Sequence, residues 1–113
     1  MREPGPRERK DAVIETGRRV LRTEAAAVDA LADRLDDSFA DAVRLIVNAR
    51  ATVAVCGTGK SGNVARKLAA TLTSTGTPAV FLHPSDAAHG DVGLVGGGNV
   101  VVAISKSGES EEL

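Results

Sequence analysis

The chain of 113 residues has no tryptophan or tyrosine, two phenylalanines (Phe39 and Phe81) and one cysteine. With so few rings there is no surface on which nucleobases or sugars could stack, which excludes aromatic nucleic-acid and carbohydrate platforms. Cys56 falls within an apolar run and reads as a small core residue of a protein kept in a reducing cytosol. No stretch approaches the roughly 20 apolar residues that span a bilayer. Charge of either sign is not in excess either: 14 Lys and Arg stand against 15 Asp and Glu, so no bias toward nucleic acid or acidic substrates follows. The basic N-terminus (Arg2, Arg7, Arg9, Lys10) lacks the apolar run of a signal peptide, so a cytoplasmic location is expected. The length allows one small domain.

Glycine, by contrast, is plentiful, and its placement is informative. Val53, Ala54, Val55 and Cys56 form a short apolar run, as in a parallel strand covered on both faces. Gly57, Gly59 and Gly62 follow, allowing a tight turn and a close approach of backbone to a ligand. A helix predicted from about Asn63 to Ser74 aims its free N–H groups into that turn, where phosphate is the expected guest. Lys60 and Ser61 add a cation and a hydroxyl.

The remaining chain alternates in the same way. Residues 1–10 are charged, contain Pro4, Gly5 and Pro6, and read as a disordered arm. Residues 11–35 carry apolar positions at three-and-four spacing, from Val13 and Ile14 to Leu31 and Leu35. That stripe is about seven turns long, more than one sheet face requires. Two readings stay open, a plain core helix and a helix that packs on another helix or subunit. Ser38 is placed to cap a second helix ending near Asn48. Further apolar strands are expected at residues 79–82 and 99–104, with Gly76 ending the helix between the first two strands. The loop from His83 to Asp91 has room for a helical turn. Residues 93–98 must turn, and Glu111 and Glu112 suit the start of a helix beyond the loop at residues 105–110.

Helices alternating with parallel strands imply an α/β doubly wound sheet, which normally has more than three strands, so the chain reads as one part of a larger domain. In a flavodoxin-like order the first strand lies between the second and third. The loops after the first and third strands then flank the switch point where ligands bind, residues 57–62 facing residues 105–110. Two Ser- and Gly-rich loops at helix starts suit a phosphorylated small molecule.

Sharper motifs compete. Gly57-x-Gly59-x-x-Gly62 has the dinucleotide spacing, yet Leu82 and His83 stand where the acidic residue about 20 positions on is required. A nucleotide loop of the Gly-x-x-x-x-Gly-Lys-Ser kind fails because Ala54 occupies its first glycine. His83 and His89 with Asp86 and Asp91 are chemically able to hold zinc, but at no standard spacing. The same histidines suit proton transfer. Lys60, His89 and Glu112 fall at or after carboxyl ends of strands, a set suited to abstracting a proton alpha to a carbonyl. Glu112 equally fits a solvated residue at a helix start.

Together the segments Val55-Cys56-Gly57-Thr58-Gly59-Lys60-Ser61-Gly62, Arg66-Lys67, Ser74-Thr75-Gly76-Thr77-Pro78, His83-Pro84, Ala88-His89-Gly90-Asp91 and Ala103-Ile104-Ser105-x-Ser107-Gly108-Glu109 resemble the sugar isomerase (SIS) domain. Within it they resemble most the arabinose-5-phosphate isomerases. The resemblance runs over residues 11–113 and covers the amino-terminal half of that family's isomerase domain. It implies interconversion of D-arabinose 5-phosphate and D-ribulose 5-phosphate by ring opening, an enediol and reclosure, in a homo-oligomer that in the family is a tetramer. It implies that Ser61, Ser105, Ser107 and Ser110 hold the phosphate beside the turn at Gly57 and Gly59. It further implies that Gly76, Thr77, His83 and His89 touch substrate and that Lys60, His89 and Glu112 serve catalysis. No cofactor is required; His83 also matches a position where zinc can bind. A further catalytic Glu and His of the family match positions after Leu113. One departure is Lys106, where the family usually has Asn, which bears on substrate specificity. Three functions are therefore expected to compete: part of an isomerase site, a non-catalytic phosphosugar-binding module, and an inactive fragment.

Overall fold

In a computed structural model, residues 1–88 and 96–108 are described, with the backbone alone at Ala87 and Ala88. The elements run α1 (Pro6–Ala32), α2 (Asp37–Val47), β1 (Val53–Gly57), α3 (Gly59–Ser74), β2 (Ala79–Leu82), α4 (Pro84–Ala88) and β3 (Val101–Ile104). The chain divides into two compact parts, Met1–Phe39 and Ala40–Leu113.

In the first part, α1 begins at Pro6, inside the segment that the charged, proline-containing composition marks as a disordered arm. The reason is local. Gly5 is an extended N-cap, Pro6 takes the first helical position where no N–H is needed, and Glu8 accepts the Gly5 N–H at 2.6 Å. No residue of α1 is buried, and Val13, Ile14, Val20, Leu21, Val28 and Leu31 are exposed. Among the described residues the stripe of α1 is therefore not a core face.

The N-cap of α2 is Asp36 rather than Ser38. Its Oδ1 accepts the Ser38 N–H at 3.0 Å and the Ser38 hydroxyl. The Ser38 hydroxyl, then its N–H, hold the Asp36 carboxyl below its ordinary value of 3.8. A carboxylate lowered on folding stabilises above its unfolded value, and that stabilisation disappears as pH falls through the lowered folded value. An Asp36→Ala variant should accordingly lose helicity by circular dichroism at neutral pH, with the gap to the parent closing in acid well below 3.8.

The second part is built on β1. Val53 through Gly57 are all buried, and the parallel sheet has the order β2-β1-β3, with the first strand central as in the expected flavodoxin-like order. Val53 pairs with Ala79, and Gly57 with Ile104. Val53 and Val55 pack against Ala65 and Ala69 of α3, with Ile46, Leu72, Phe81 and Val102 around them. On the other face Val80 and Val101 are exposed, so only the central strand meets the two-face expectation among the described residues. Asn99 stands just before β3 rather than in it. Its carboxamide donates to the Thr52 carbonyl at 2.7 Å and accepts from Gly96 N at 2.8 Å, tying the entries of β1 and β3 together.

Candidate functional site

The glycine turn is tighter than its sequence suggests. Thr58 is extended (φ −108°, ψ 152°), Gly59 takes φ +55°, and α3 has already begun, four residues ahead of the Asn63 start predicted above. Lys60 and Ser61 consequently belong to the first turn of α3. No side chain caps that turn, so its leading N–H groups and positive dipole end face outward from the carboxyl end of β1. Gly57 and Gly62 let strand and helix meet: a Cβ on Gly62 would lie 2.7 Å from the Gly57 carbonyl oxygen, and one on Gly57 2.8 Å from the Ser61 carbonyl carbon. Dinucleotide folds use their third glycine for the same close helix–strand packing. The glycines are thus explained without a dinucleotide.

Because Gly57 pairs with Ile104, the next residues of both strands emerge side by side. Ser105 to Gly108 make a small turn in which the Ser105 Oγ accepts the Gly108 N–H at 2.8 Å and Gly108 has φ +73°. Among the described residues the Ser105 hydroxyl hydrogen is not engaged, so it can donate to a ligand. Lys60, Ser105, Lys106 and Ser107 are exposed, and neither lysine enters an ion pair among the described residues. Two cations, two hydroxyl-bearing loops and an open helix start suit a phosphate. Ser110, His89 and Glu112 lie outside the described residues.

His83 arrives from the other side. Leu82 pairs with Cys56, so His83 follows β2 level with Gly57. It is half-buried, and its Nδ1 accepts the Ser85 N–H at 3.1 Å, capping α4, the short helical turn the polar loop was expected to hold. Phe81 meets its ring edge-on, centroids 6.3 Å apart, and the Arg66 guanidinium sits 4.0 Å from the Phe81 centroid. Sequence reasoning missed this Arg66–Phe81–His83 stack. The signal was available: Phe81 and His83 alternate onto one face of a strand.

Gly76 and Thr77 lie elsewhere. They follow Thr75, the C-cap of α3, and close the helix end, with Thr77 N donating to the Leu72 carbonyl at 2.8 Å, Gly76 N to the Thr73 carbonyl at 3.2 Å, and Gly76 at φ +96°. This confirms Gly76 as the terminator. It also puts both residues at the amino ends of the strands, the length of α3 away from Lys60, roughly 24 Å at 1.5 Å per residue. One bound sugar phosphate does not reach both places within a single chain.

No group of three potential metal ligands forms among the described residues, and His89 and Asp91 of the zinc reading lie outside them; of His83, Nδ1 is engaged by the Ser85 N–H. Burial pushes the Cys56 thiol up, which keeps it protonated and inert at neutral pH, in keeping with a core role. A groove of about 620 Å³ between α3 and β2, lined by Arg66, Ala69, Thr73 and Phe81, runs beside the free edge of β2 and includes none of the loop residues. No helix among the described residues is long and apolar enough to cross a membrane.

Comparison with known proteins agrees with this geometry. Over 103 residues the chain is 45% identical to arabinose 5-phosphate isomerase GutQ of Shigella flexneri, covering 91% of this chain and 32% of that protein. It is 45% identical over 100 residues to arabinose 5-phosphate isomerase KdsD of Pseudomonas aeruginosa, covering 88% and 31%. The chain therefore spans about a third of the length of these curated relatives. An Escherichia coli CFT073 protein solved in complex with arabinose 5-phosphate superposes with a TM-score of 0.84 at 40% identity, over 90% of this chain and 54% of that one. The SIS domain family model matches residues 45–113, the part that contains the whole sheet and both loops, and the chain belongs to the SIS domain family.

Proposed function

We propose that this chain supplies the phosphosugar-binding loops of an aldose–ketose isomerase acting on D-arabinose 5-phosphate and D-ribulose 5-phosphate. The observation that carries the reading is the uncapped first turn of α3 beside the Ser105–Gly108 turn, on adjacent carboxyl ends of one sheet. The relatives' named activity and the arabinose 5-phosphate held by a structural neighbour support it. In that reaction the C2 proton of the open-chain aldose ends on C1 and the O2 hydroxyl proton on O1, by way of an enediol. The phosphate is anchored by Ser61, Ser105, Ser107 and Ser110. Lys60 steadies the developing enediolate oxygen, and His89 and Glu112 exchange protons with the sugar. In this reading Gly76 and Thr77 join a site only through a second copy, and a homo-oligomer such as the tetramer implied by the resemblance also covers the stripe of α1. The location would be the cytoplasm.

A second reading is a phosphosugar-binding module without turnover, for which the same pairing of the α3 start with the Ser105–Gly108 turn suffices. One experiment separates them: incubate the full chain with D-arabinose 5-phosphate, follow ribulose 5-phosphate formation, and follow binding by the amide shifts of Gly59, Lys60 and Ser61. Turnover establishes the isomerase, and binding without turnover the module. Absence of any shift at saturating sugar phosphate defeats both. Ser105→Ala removes the acceptor that closes its turn and the free hydroxyl, so it should weaken phosphosugar binding about tenfold, the worth of one or two hydrogen bonds. Calorimetric titration reads this directly.

A further inference from the structure

We propose that Phe81 and the Ser85 amide are positioning groups for His83, holding its ring as the Nε2–H tautomer so that it meets the sugar phosphate as a hydrogen-bond donor. The donor half rests on the phosphosugar reading above; the tautomer half rests on the free chain alone.

Three contacts carry the inference. A neutral imidazole has one bare and one protonated nitrogen, and the hydrogen bond at either one sets the other. Here the Ser85 N–H points at Nδ1 from 3.1 Å, so Nδ1 is the bare nitrogen and Nε2 bears the hydrogen. Phe81 fixes the ring plane, meeting it at 72° with centroids 6.3 Å apart. Phe81 is itself pinned: Arg66 lies over its face at 4.0 Å, and its Cζ lies 3.7 Å from where a Cβ on Gly62 would stand. The ring of His83 is therefore tied through Phe81 to the first two turns of α3, which carry Lys60 and Ser61. Its Nε2 makes no hydrogen bond among the described residues and is not a buried orphan. A donor that is fixed in direction and left unspent, level with the glycine turn, matches the oxygens of a sugar phosphate, which are acceptors.

Nitrogen-15 NMR of the full chain at about pH 8.5, where an ordinary imidazole is neutral, tests this. A His89→Gln variant assigns the signals, leaving His83 as the one histidine. Expected are an imine-type Nδ1, a pyrrole-type Nε2, and a scalar coupling between the Ser85 amide nitrogen and Nδ1, which passes only through an N–H···N bond. Phe81→Leu should abolish that coupling and speed exchange of the Ser85 amide while the shifts of β1 persist. A pyrrole-type Nδ1, or no coupling in the parent, overturns the proposal, and the parent spectrum decides this even where Phe81→Leu fails to fold. With D-arabinose 5-phosphate added, the Nε2–H signal should move while Nδ1 stays. Shifts at Gly59 and Ser61 with Nε2–H unmoved overturn the donor role. Shifts nowhere count against the phosphosugar reading and against the donor role with it, and leave the tautomer judged by the free chain.

Discussion

Gly62→Ala should destabilise the sheet-bearing part of the chain by about 3 kcal/mol, the upper end of what forcing extra atoms into a packed site costs. In a domain this small that lowers the melting temperature by roughly 10–20 °C. The magnitude follows from what the new methyl would meet. Its nearest neighbour is the Gly57 carbonyl oxygen at 2.7 Å, followed by the Gly57 carbonyl carbon at 3.3 Å. Both are backbone of the central strand, held on each side by parallel pairing, so no side chain can rotate away to make room. Relief requires the start of α3 to lift from β1, which pulls Lys60 and Ser61 away from the turn at Ser105. Two other glycines calibrate the effect. A Cβ on Gly59 meets nothing within 4 Å but sits at φ +55°, so alanine there should cost about 1–2 kcal/mol through backbone strain alone. Gly17 lies inside α1 with nothing within 4 Å, and alanine there should gain about 0.5–1 kcal/mol of helix stability. Urea denaturation of the three variants gives the order. A Gly62→Ala cost no larger than that of Gly59→Ala would show that strand and helix do not meet as described.

Much of this arrangement is legible in the residues because it rests on short-range rules. Apolar runs of four or five bounded by glycine and proline give the three strands, and right-handed crossovers narrow their arrangement to a few orders, of which the flavodoxin-like one has the first strand in the middle. What stayed hidden depends on details that composition blurs. Gly5-Pro6-x-Glu8 is a helix start in its own right, yet Pro4, Gly5, Pro6 and the surrounding charges read together as disorder. The glycine turn shows that the chain must bend but not which glycine takes positive φ. Gly59 does so, and that moves the helix start ahead of Lys60.

The candidate site divides in the same manner. Gly57, Ser61, Ser105 and Ser107 come to adjacent strand ends because strand order alone dictates it. Gly76 and Thr77 fall in an equally specific motif, but the direction of α3 carries them to the far edge. Motif membership does not say which end of a sheet a residue occupies, whereas the crossover does. The tie from Arg66 through Phe81 to His83 joins a helix, a strand and a loop, and only the alternation of Phe81 and His83 hinted at it.

Lys60→Met should lower kcat/KM for arabinose 5-phosphate by about a hundredfold or more in a protein with isomerase turnover, the loss typical of removing a charge aimed at a developing oxyanion. Methionine keeps the length and apolar stem of lysine, and Lys60 is exposed in the first turn of α3 with no ion pair among the described residues. Folding should therefore be unaffected, and the melting temperature is the control. The partition of the loss is what identifies the role. A lysine that only attracts phosphate would raise KM with kcat intact, since it binds substrate and transition state alike. In the proposed site the phosphate would also meet the open helix start, the serine hydroxyls and Lys106, so losing one cation of several should weaken binding only modestly. An enediolate has no such surplus: its charge appears in the transition state, at the sugar carbons, away from the phosphate. Most of the loss should accordingly appear in kcat. A Lys60→Met enzyme whose kcat stays within a few-fold of the parent, with KM bearing the change, would reassign Lys60 to the phosphate and leave the oxyanion to another group.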